Sequence, residues 1–465
     1  MKMTGQRNLL RTLLFGSFAL MSACASITTR DEAGGAAKSS LPETPRAWAM
    51  AQEKIGNVEV GWIASFNDPT LSALVAEAQE NNKNLQAAAA NVDRARALAR
   101  QAGAALKPSV TGFAGGSEGG GVDGRAGDSS FEAGLQIDWE IDVWGRIRSG
   151  QQAAAASAES AEADYLFTQY SIAAAVAQAY FVSIEAAIQE EIARETMKLL
   201  EETTRIVSVQ YDNGLANSQD LALTKSDLAS SRDTVSNTSG ARRDALRAVE
   251  VLLGRYPSAD LKLADALPET PPAPPAGVPS DILERRPDLI AAERNVAASF
   301  NSLDQAKAAR LPRFALTSTV GGASTDLSEI FDPKNVAWNV IGNLSAPLFD
   351  GGQRQAQVEI STAEQKQAVA AYGQAALDAF SEVESGLDQG VVLNDRVIAL
   401  QEAVEQAERA YSVARLRYDE GETDLIDVLT IQQRLFTTQS NLASVRRLLL
   451  DQRVTLNLAL GGDWE

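Results

Sequence analysis

The sequence predicts a mainly α-helical fold with a smaller β segment: duplicated long helical hairpins and four strands per chain. Three observations predict it. Landmarks recur at a nearly constant offset in the two halves, two very long runs lack proline and carry a seven-residue apolar period, and short stretches of apolar–polar alternation sit at equivalent places in each half.

The repeat organises everything else. Leu85 to Pro108 and Leu289 to Pro312 are each 23 residues apart, at an offset of 204. Further on the offset is 207: Gly145 matches Gly352, Tyr211 matches Tyr418, Gly214 matches Gly421, Asp220 matches Asp427 and Gly254 matches Gly461. The three-residue change falls between the proline and the glycine, where a loop is expected. The first repeat is placed at 61–265 and the second at 281–465. A segment at 266–280, with six of the fifteen prolines between 267 and 279, reads as an extended, semi-rigid linker.

Residues 151–213 contain neither glycine nor proline, enough for roughly 95 Å of helix. Residues 353–420 contain no proline and three glycines. Leu166, Tyr170, Ala173, Ala177, Tyr180, Ile184 and Ala187 step by four and three, and Phe167, Ala174, Phe181 and Ile188 step by seven beside them. Val397, Leu400, Val404, Ala407, Tyr411, Ala414 and Tyr418 repeat the alternation, and Val428, Leu435, Leu442, Leu449 and Leu456 recur every seven. These are coiled-coil periods, and two adjacent stripes on one helix call for neighbours on both sides. Each long helix is expected to end at a glycine turn, YDNG at Gly214 and YDEG at Gly421, because glycine supplies the left-handed cap that reverses the chain. Return helices are expected over 215–253 and 422–460.

Strand signals lie at 131–143 and 336–348, with partners at about 107–116 and 312–322 joined by Gly/Ser/Asp-rich loops near 115–130 and 321–335. From Phe131 to Val143 every odd position is apolar and every even one is polar or glycine. A sheet with one face on a core would alternate in the same way. Four strands cannot close a membrane barrel, whose smallest examples have about 8, so a spanning sheet must be shared among copies. Alternation alone leaves two, three or four copies open.

Composition narrows the function classes. The chain has no histidine and one cysteine, which excludes Cys/His zinc sites, histidine acid–base catalysis and an internal disulfide. Lys2, Arg7 and Arg11 followed by about ten apolar residues up to Met21 read as a signal peptide over 1–23. Ser22 and Ala23 before the lone Cys24 resemble a bacterial lipoprotein cleavage site, with Cys24 as the lipid attachment and residues 24–60 as anchor linker and equatorial segment. An ordinary signal peptide with an incidental cysteine is the alternative. Removal of 1–23 leaves 39 basic against 61 acidic residues, a charge that argues against nucleic acid as a partner. No later segment has ~18 consecutive apolar residues, so no membrane helix is expected, and a closed barrel is the remaining way to span. Neighbouring acids such as Glu190 with Glu191 and Glu201 with Glu202 read as a solvated helix face, not a catalytic pair.

GWIASFNDPTLSALVAEAQENNKNLQAA near the start, VPSDILERRPDLIAAERNV, WEIDVWGR, APLFDGGQR, and LRYDEGETDLIDVLTIQQRLF followed by LNLALGG together resemble TolC-type outer-membrane efflux proteins, and the ERRPDL segment resembles their OprM/NodT lipoprotein branch. The resemblance covers the chain from about Trp62 to Gly462. It implies a homotrimer with a trimeric α-barrel in the periplasm and a 12-stranded transmembrane β-barrel in the bacterial outer membrane. It implies a periplasmic adaptor protein and an inner-membrane pump, of the RND type, as partners, and a passive exit duct for small molecules with no catalytic step and no cofactor beyond the lipid on Cys24. Carried over by position, the periplasmic gate falls on Asp427, with Asp424 one turn earlier, Thr430 where a second acid is common, and Asp220 as the equivalent in the first repeat. The same aspartates would also suit helix starts, where acids are favoured. An outer-membrane duct for protein secretion, or a periplasmic coiled-coil lipoprotein with no pore, are the competing readings.

Overall fold

The computed structural model describes residues 31–45, 47–49, 61–120 and 126–462. Cys24 and the signal segment lie outside the described residues. In chain order the main elements are α1 (Pro69–Asn81), α2 (Lys83–Ala104), β1 (Ser109–Gly120), β2 (Ala126–Ile141), α3 (Arg146–Asp212), α4 (Ser218–Leu252), α5 (Pro287–Ala308), β3 (Arg313–Ser324), β4 (Val336–Ser345), α6 (Gln353–Asp419) and α7 (Leu425–Ala459). The helices α3 and α6 are each 67 residues long, and α4 and α7 are each 35, so the two repeats return the same element lengths. The chain divides into two compact units, and neither follows a single repeat. One comprises residues up to 42, 90–163 and 289–375; the other comprises 43–89, 164–288 and 376–465.

The first unit holds the sheet, an antiparallel meander in the order β1-β2-β3-β4. Register sorts the side chains by face, because neighbours along a strand point to opposite sides. Val110, Ile137 and Leu135 share one face with Phe314, Leu316, Val320, Trp338 and Leu344, while Thr111, Gln136, Asp138, Thr317, Thr319, Asn339 and Asn343 share the other. On the apolar face Leu135, Val320, Trp338 and Leu344 are exposed. On the polar face Asp138 accepts bonds from Gln136 Nε2 at 2.7 Å and Thr317 Oγ1 at 2.9 Å. Pairing of β2 with β3 joins the two repeats, and the crossing is tight: a Cβ on Gly134 would lie 2.5 Å from the Val320 carbonyl oxygen.

Strand limits differ from expectation in ways with local causes. The glycine- and serine-rich stretch expected as a loop at 115–130 is mostly ladder: β1 runs to Gly120 and β2 begins at Ala126. Glycine at 116 leaves room there for the Phe131 ring, which a Cβ would meet at 2.8 Å. Likewise β3 reaches Ser324, inside the loop expected at 321–335. β4 stops at Ser345, ahead of Pro347, which has no N–H to continue a ladder. β2 stops at Ile141 because Asp142 turns the chain, its carboxylate accepting the N–H groups of Ile147 and Arg148 at the start of α3. The segment expected as anchor linker, within residues 24–60, contains a helix over 31–40. Alanines one turn apart explain it: Ala33 and Ala37 bury against Val296 and Tyr372.

The second unit holds the main core. Trp62, Phe66, Leu71 and Val75 pack on Ala173, Ala177, Tyr180, Phe181 and Ile184 of α3 and on Val249, Leu450 and Val454. The middle of both stripes read from the sequence of α3 is buried here, each large side chain contributing on the order of 2 kcal/mol, while Leu166 at the start of the first is exposed. Asp68 fastens this corner: Oδ1 caps α1 through the N–H groups of Thr70 and Leu71, and Oδ2 accepts the buried Tyr180 hydroxyl at 2.6 Å. α3 does contain a stretch apolar enough to cross a bilayer by length and composition, although no run is unbroken. Half of it is buried inside the protein, where its apolar side chains are core.

The hairpins are antiparallel. Thr204 Oγ1 donates to the Thr224 carbonyl, Arg232 reaches Glu201, and Arg242 reaches Glu190, so α3 and α4 run side by side. Leu393, Val397 and Leu400 of α6 pack on Val445 and Leu449 of α7. Val428, Leu435, Leu442, Leu449 and Leu456, the seven-residue series, are all buried. The proline-rich segment has no helix or strand before Pro279 and is pinned at two carbonyls, Pro271 by Arg453 and Ala276 by the Trp48 indole N–H.

Candidate functional site

The two chain reversals are one design used twice. At the first, Gly214 takes φ +73°, its N–H donates to the Tyr211 carbonyl and the Leu215 N–H donates to Gln210. At the second, Gly421 takes φ +76°, its N–H donates to Tyr418 and the Glu422 N–H donates to Arg417. This is the glycine-closed helix end in which two orphan carbonyls are satisfied by the residues that leave the helix. The same pattern closes α4 at Gly254 and α7 at Gly461. The Tyr418 hydroxyl lies 3.4 Å from Gln210 Oε1 and links the ends of α3 and α6.

The aspartates expected near these turns divide into different environments. Asn217 starts α4, its side chain accepting the Asp220 N–H at 2.9 Å, and Asp220 sits in the first turn. Asp424 holds the equivalent starting place on α7 but its side chain caps nothing. Asp427, one turn on, is exposed and accepts the Thr423 hydroxyl at 2.8 Å through Oδ2. Thr430 is also exposed, and its hydroxyl donates back to the Ile426 carbonyl at 2.7 Å. Asp427 and Thr430 face a common groove of about 600 Å³ between α6 and α7, together with Thr423, Gln406, Arg409 and Arg417. Asp424 and Asp220 are not part of its lining. The groove therefore sets two guanidinium groups across from the one carboxylate.

Further charged groups on the hairpins include one expected to be solvated, Glu190, and others that the sequence did not mark. Glu190 is 2% exposed and bonded to Arg194 and Arg242, so it is a buried ion-pair centre and not the solvated acid expected. Burial pushes its carboxyl up, but the bonds from Arg242 and Ser239 and the charges of Arg194 and Arg242 outweigh that and hold it below the usual range. Glu191, Glu201 and Glu202 are exposed, as expected of a solvated face. Between α3 and α7, Glu185 Oε2 accepts from Arg447 Nε at 2.5 Å, and Arg447 also pairs with Asp451. Burial pushes Asp451 up to about 6, with Arg447 drawing it down and the Glu185 charge adding to the rise. Nothing in heptad periodicity marks these residues; only the meeting of neighbouring helices does, α3 with α4 at Glu190 and α3 with α7 at Glu185.

The ERRPDL segment has a structural explanation. Arg286, with its side chain 5% exposed, forms a fork to Asp288 at 2.7 and 3.1 Å, reaches Glu382 on α6 at 2.6 Å and donates to the Ala459 carbonyl at the end of α7. Burial alone would lower the guanidinium, but the bonds and charges of Asp288 and Glu382 raise it. One side chain thus ties the start of α5 to both long elements of the second repeat.

Two helical hairpins with matched glycine turns, joined to a four-stranded sheet with an exposed apolar face, are also what comparison with other proteins returns. The family model described as outer membrane efflux protein matches residues 74–255 and 278–462. The cation efflux system protein CusC of Escherichia coli O6:H1 is 30% identical over 430 residues, 90% of this chain and 93% of that protein. The pyoverdine export outer membrane protein OpmQ of Pseudomonas aeruginosa is 30% identical over 469 residues, 97% of this chain and 96% of that protein. The solved structure of the outer-membrane channel OprN superposes with a TM-score of 0.83 at 30% identity, covering 91% of this chain and 98% of that one. The chain belongs to the outer membrane efflux protein family, and it is an outer-membrane channel subunit of an efflux system.

Proposed function

We propose that the chain assembles as a homotrimer, three four-stranded sheets closing a 12-stranded barrel above a tunnel of helices, and works as a passive exit duct. The observation that carries this reading is the sheet. Its end strands β1 and β4 pair on one side only among the described residues, and its apolar face is open. Unpaired backbone N–H and C=O groups cannot face lipid, so a sheet of this kind spans only when copies complete it. A second support lies on α6, where Val392, Ile398, Val413 and Leu416 are each about half exposed on a helix whose other stripe is packed. Those side chains suit a neighbouring copy.

In this reading Asp427 is the gate residue. Three copies around one axis place three carboxylates in a ring that favours cations and narrows the mouth. Asp424 and Asp220 add acidity at the helix starts, while Thr430 leaves the second ring uncharged. Arg409 and Arg417, which line the same groove, offset the crowding of like charge, with Arg417 also paired to Glu422 at 3.5 Å. A periplasmic adaptor and an inner-membrane pump, of the RND type, complete the system and supply energy and selectivity. The chain itself carries out no chemical step. CusC exports cations and OpmQ exports pyoverdine, so a duct of this kind serves more than one cargo class. Cys24, acylated after cleavage, tethers the body to the outer membrane; more than one acyl chain is needed for firm anchoring.

The test is conductance of the purified protein in a planar bilayer. Asp427→Ala leaves the trimer intact and raises conductance at low voltage, and an unchanged conductance removes Asp427 from the gate. Mass analysis of the mature N-terminus checks the anchor: an acylated Cys24 is expected, and an unmodified one contradicts it.

A further inference from the structure

A second groove, of about 740 Å³, lies between α3, α4 and α7. Its volume is in the range that takes a small organic ligand. Ile192, Leu429 and Phe436 give it apolar wall, and Asp227 is the one charged residue in its lining.

Five threonines of the lining present acceptors, beside serine and amide groups that can also donate, among them Ser230, Ser231 and Asn441. The hydroxyls of Thr196, Thr234, Thr238, Thr430 and Thr437 each donate to the carbonyl one turn back on their own helix. Their hydrogens are spent, and what remains on each oxygen is lone-pair capacity beside a methyl group. Among the donors of the lining, Gln432 is the one that is buried and unpartnered. It is 3% exposed, it lines the groove, and its amide nitrogen is buried without a hydrogen-bond partner. A buried amide left in that state is unfavourable, so a ligand atom that accepts from it is favoured. Asp227 has no cation beside it in the groove, and burial alone pushes its carboxyl up, which is the state a bound positive charge would reverse.

We infer that this groove is a binding site for a small organic cation with an apolar body, its ammonium group set against Asp227 and the threonine oxygens, and an acceptor atom on the ligand taking the Gln432 amide. The Asp227 carboxylate selects against anions. The apolar residues supply area for an aromatic or aliphatic body. The site is distinct from the groove at Asp427, with Thr430 the single residue on both.

The experiment is calorimetric titration of the full-length protein in detergent with 4-methoxyphenethylammonium, which carries a cation, an aromatic body and an ether acceptor. Saturable binding is expected, and Asp227→Asn is expected to weaken it about tenfold or more. The uncharged twin, 4-methoxyphenethyl alcohol, is expected to bind wild-type protein at least about tenfold more weakly, a comparison that needs no variant to fold. Gln432→Leu is expected to weaken the methoxy ligand by roughly threefold and leave 4-ethylphenethylammonium, which lacks the acceptor, unaffected. Absence of saturable binding, equal affinity in Asp227→Asn, or equal affinity for the neutral twin would each overturn the site. A protein that conducts but does not bind the probe loses the site and keeps the duct, and one that binds but does not conduct does the reverse.

Discussion

At the scale of single residues, the stabilising charges lie where helices of different elements meet. Arg286 is the clearest case, because one guanidinium satisfies Asp288, Glu382 and a helix-end carbonyl in a buried place. Arg286→Ala is expected to lower the stability of the detergent-solubilised protein by about 2–4 kcal/mol, since it strands Asp288 and an unpaired carbonyl. Thermal unfolding checks it, and a loss of only a few tenths would contradict the role given to this side chain. Asp451 acts in the opposite sense. Its carboxyl is pushed up to about 6 in the folded protein, against about 3.9 for an unperturbed aspartate. The folded state therefore holds a proton that the unfolded chain releases. The contribution of this group is fully favourable below about pH 4, falls as pH rises toward 6, and is gone above that. Asp451→Asn is expected to stabilise the protein at pH 7 by on the order of 2 kcal/mol and to flatten the fall between pH 4 and 6. Melts at both pH values test it; a variant less stable than wild type at pH 7 would contradict the argument. Sequence reading reached Asp427 and Thr430 through their place after the second turn. It placed Glu190 on a solvated face and missed Asp451 and Asp227, because burial and partners across helices are not written in spacing along one helix.

At the scale of elements, glycine positions separate backbone conformation from packing. Gly421 and Gly254 have φ of +76° and +72° and the same closing bonds. Around Gly421 nothing lies within 4 Å of an added Cβ, whereas at Gly254 a Cβ would sit 2.6 Å from the Asn81 carbonyl oxygen. Gly421→Ala is expected to cost about 1 kcal/mol from conformation alone, and Gly254→Ala clearly more because backbone must shift. Comparative melts of the two variants test this; equal losses would mean the Asn81 contact does not matter. Most of the element plan was legible beforehand. Gly214 and Gly421 announced the turns, and the heptad series from Val428 to Leu456 announced a buried stripe, because both are local rules of the backbone. The pairing of β2 with β3 was not legible, since it joins residues from the two repeats and rests on the close approach of Gly134 and Gly321. Nor was the helix over 31–40, whose alanines become informative only once Val296 and Tyr372 are seen beneath them.

At the scale of the whole molecule, duplication explains why one chain supplies an incomplete structure. Two matched hairpins and two strand pairs leave the sheet with one-sided edges and α6 with an uncovered apolar stripe. In the proposed trimer each of these is satisfied by another copy. The most direct test is the mass of the purified, membrane-extracted protein in mild detergent, measured by native mass spectrometry. The account predicts a species of three chains that resists dilution; a stable single chain would contradict it.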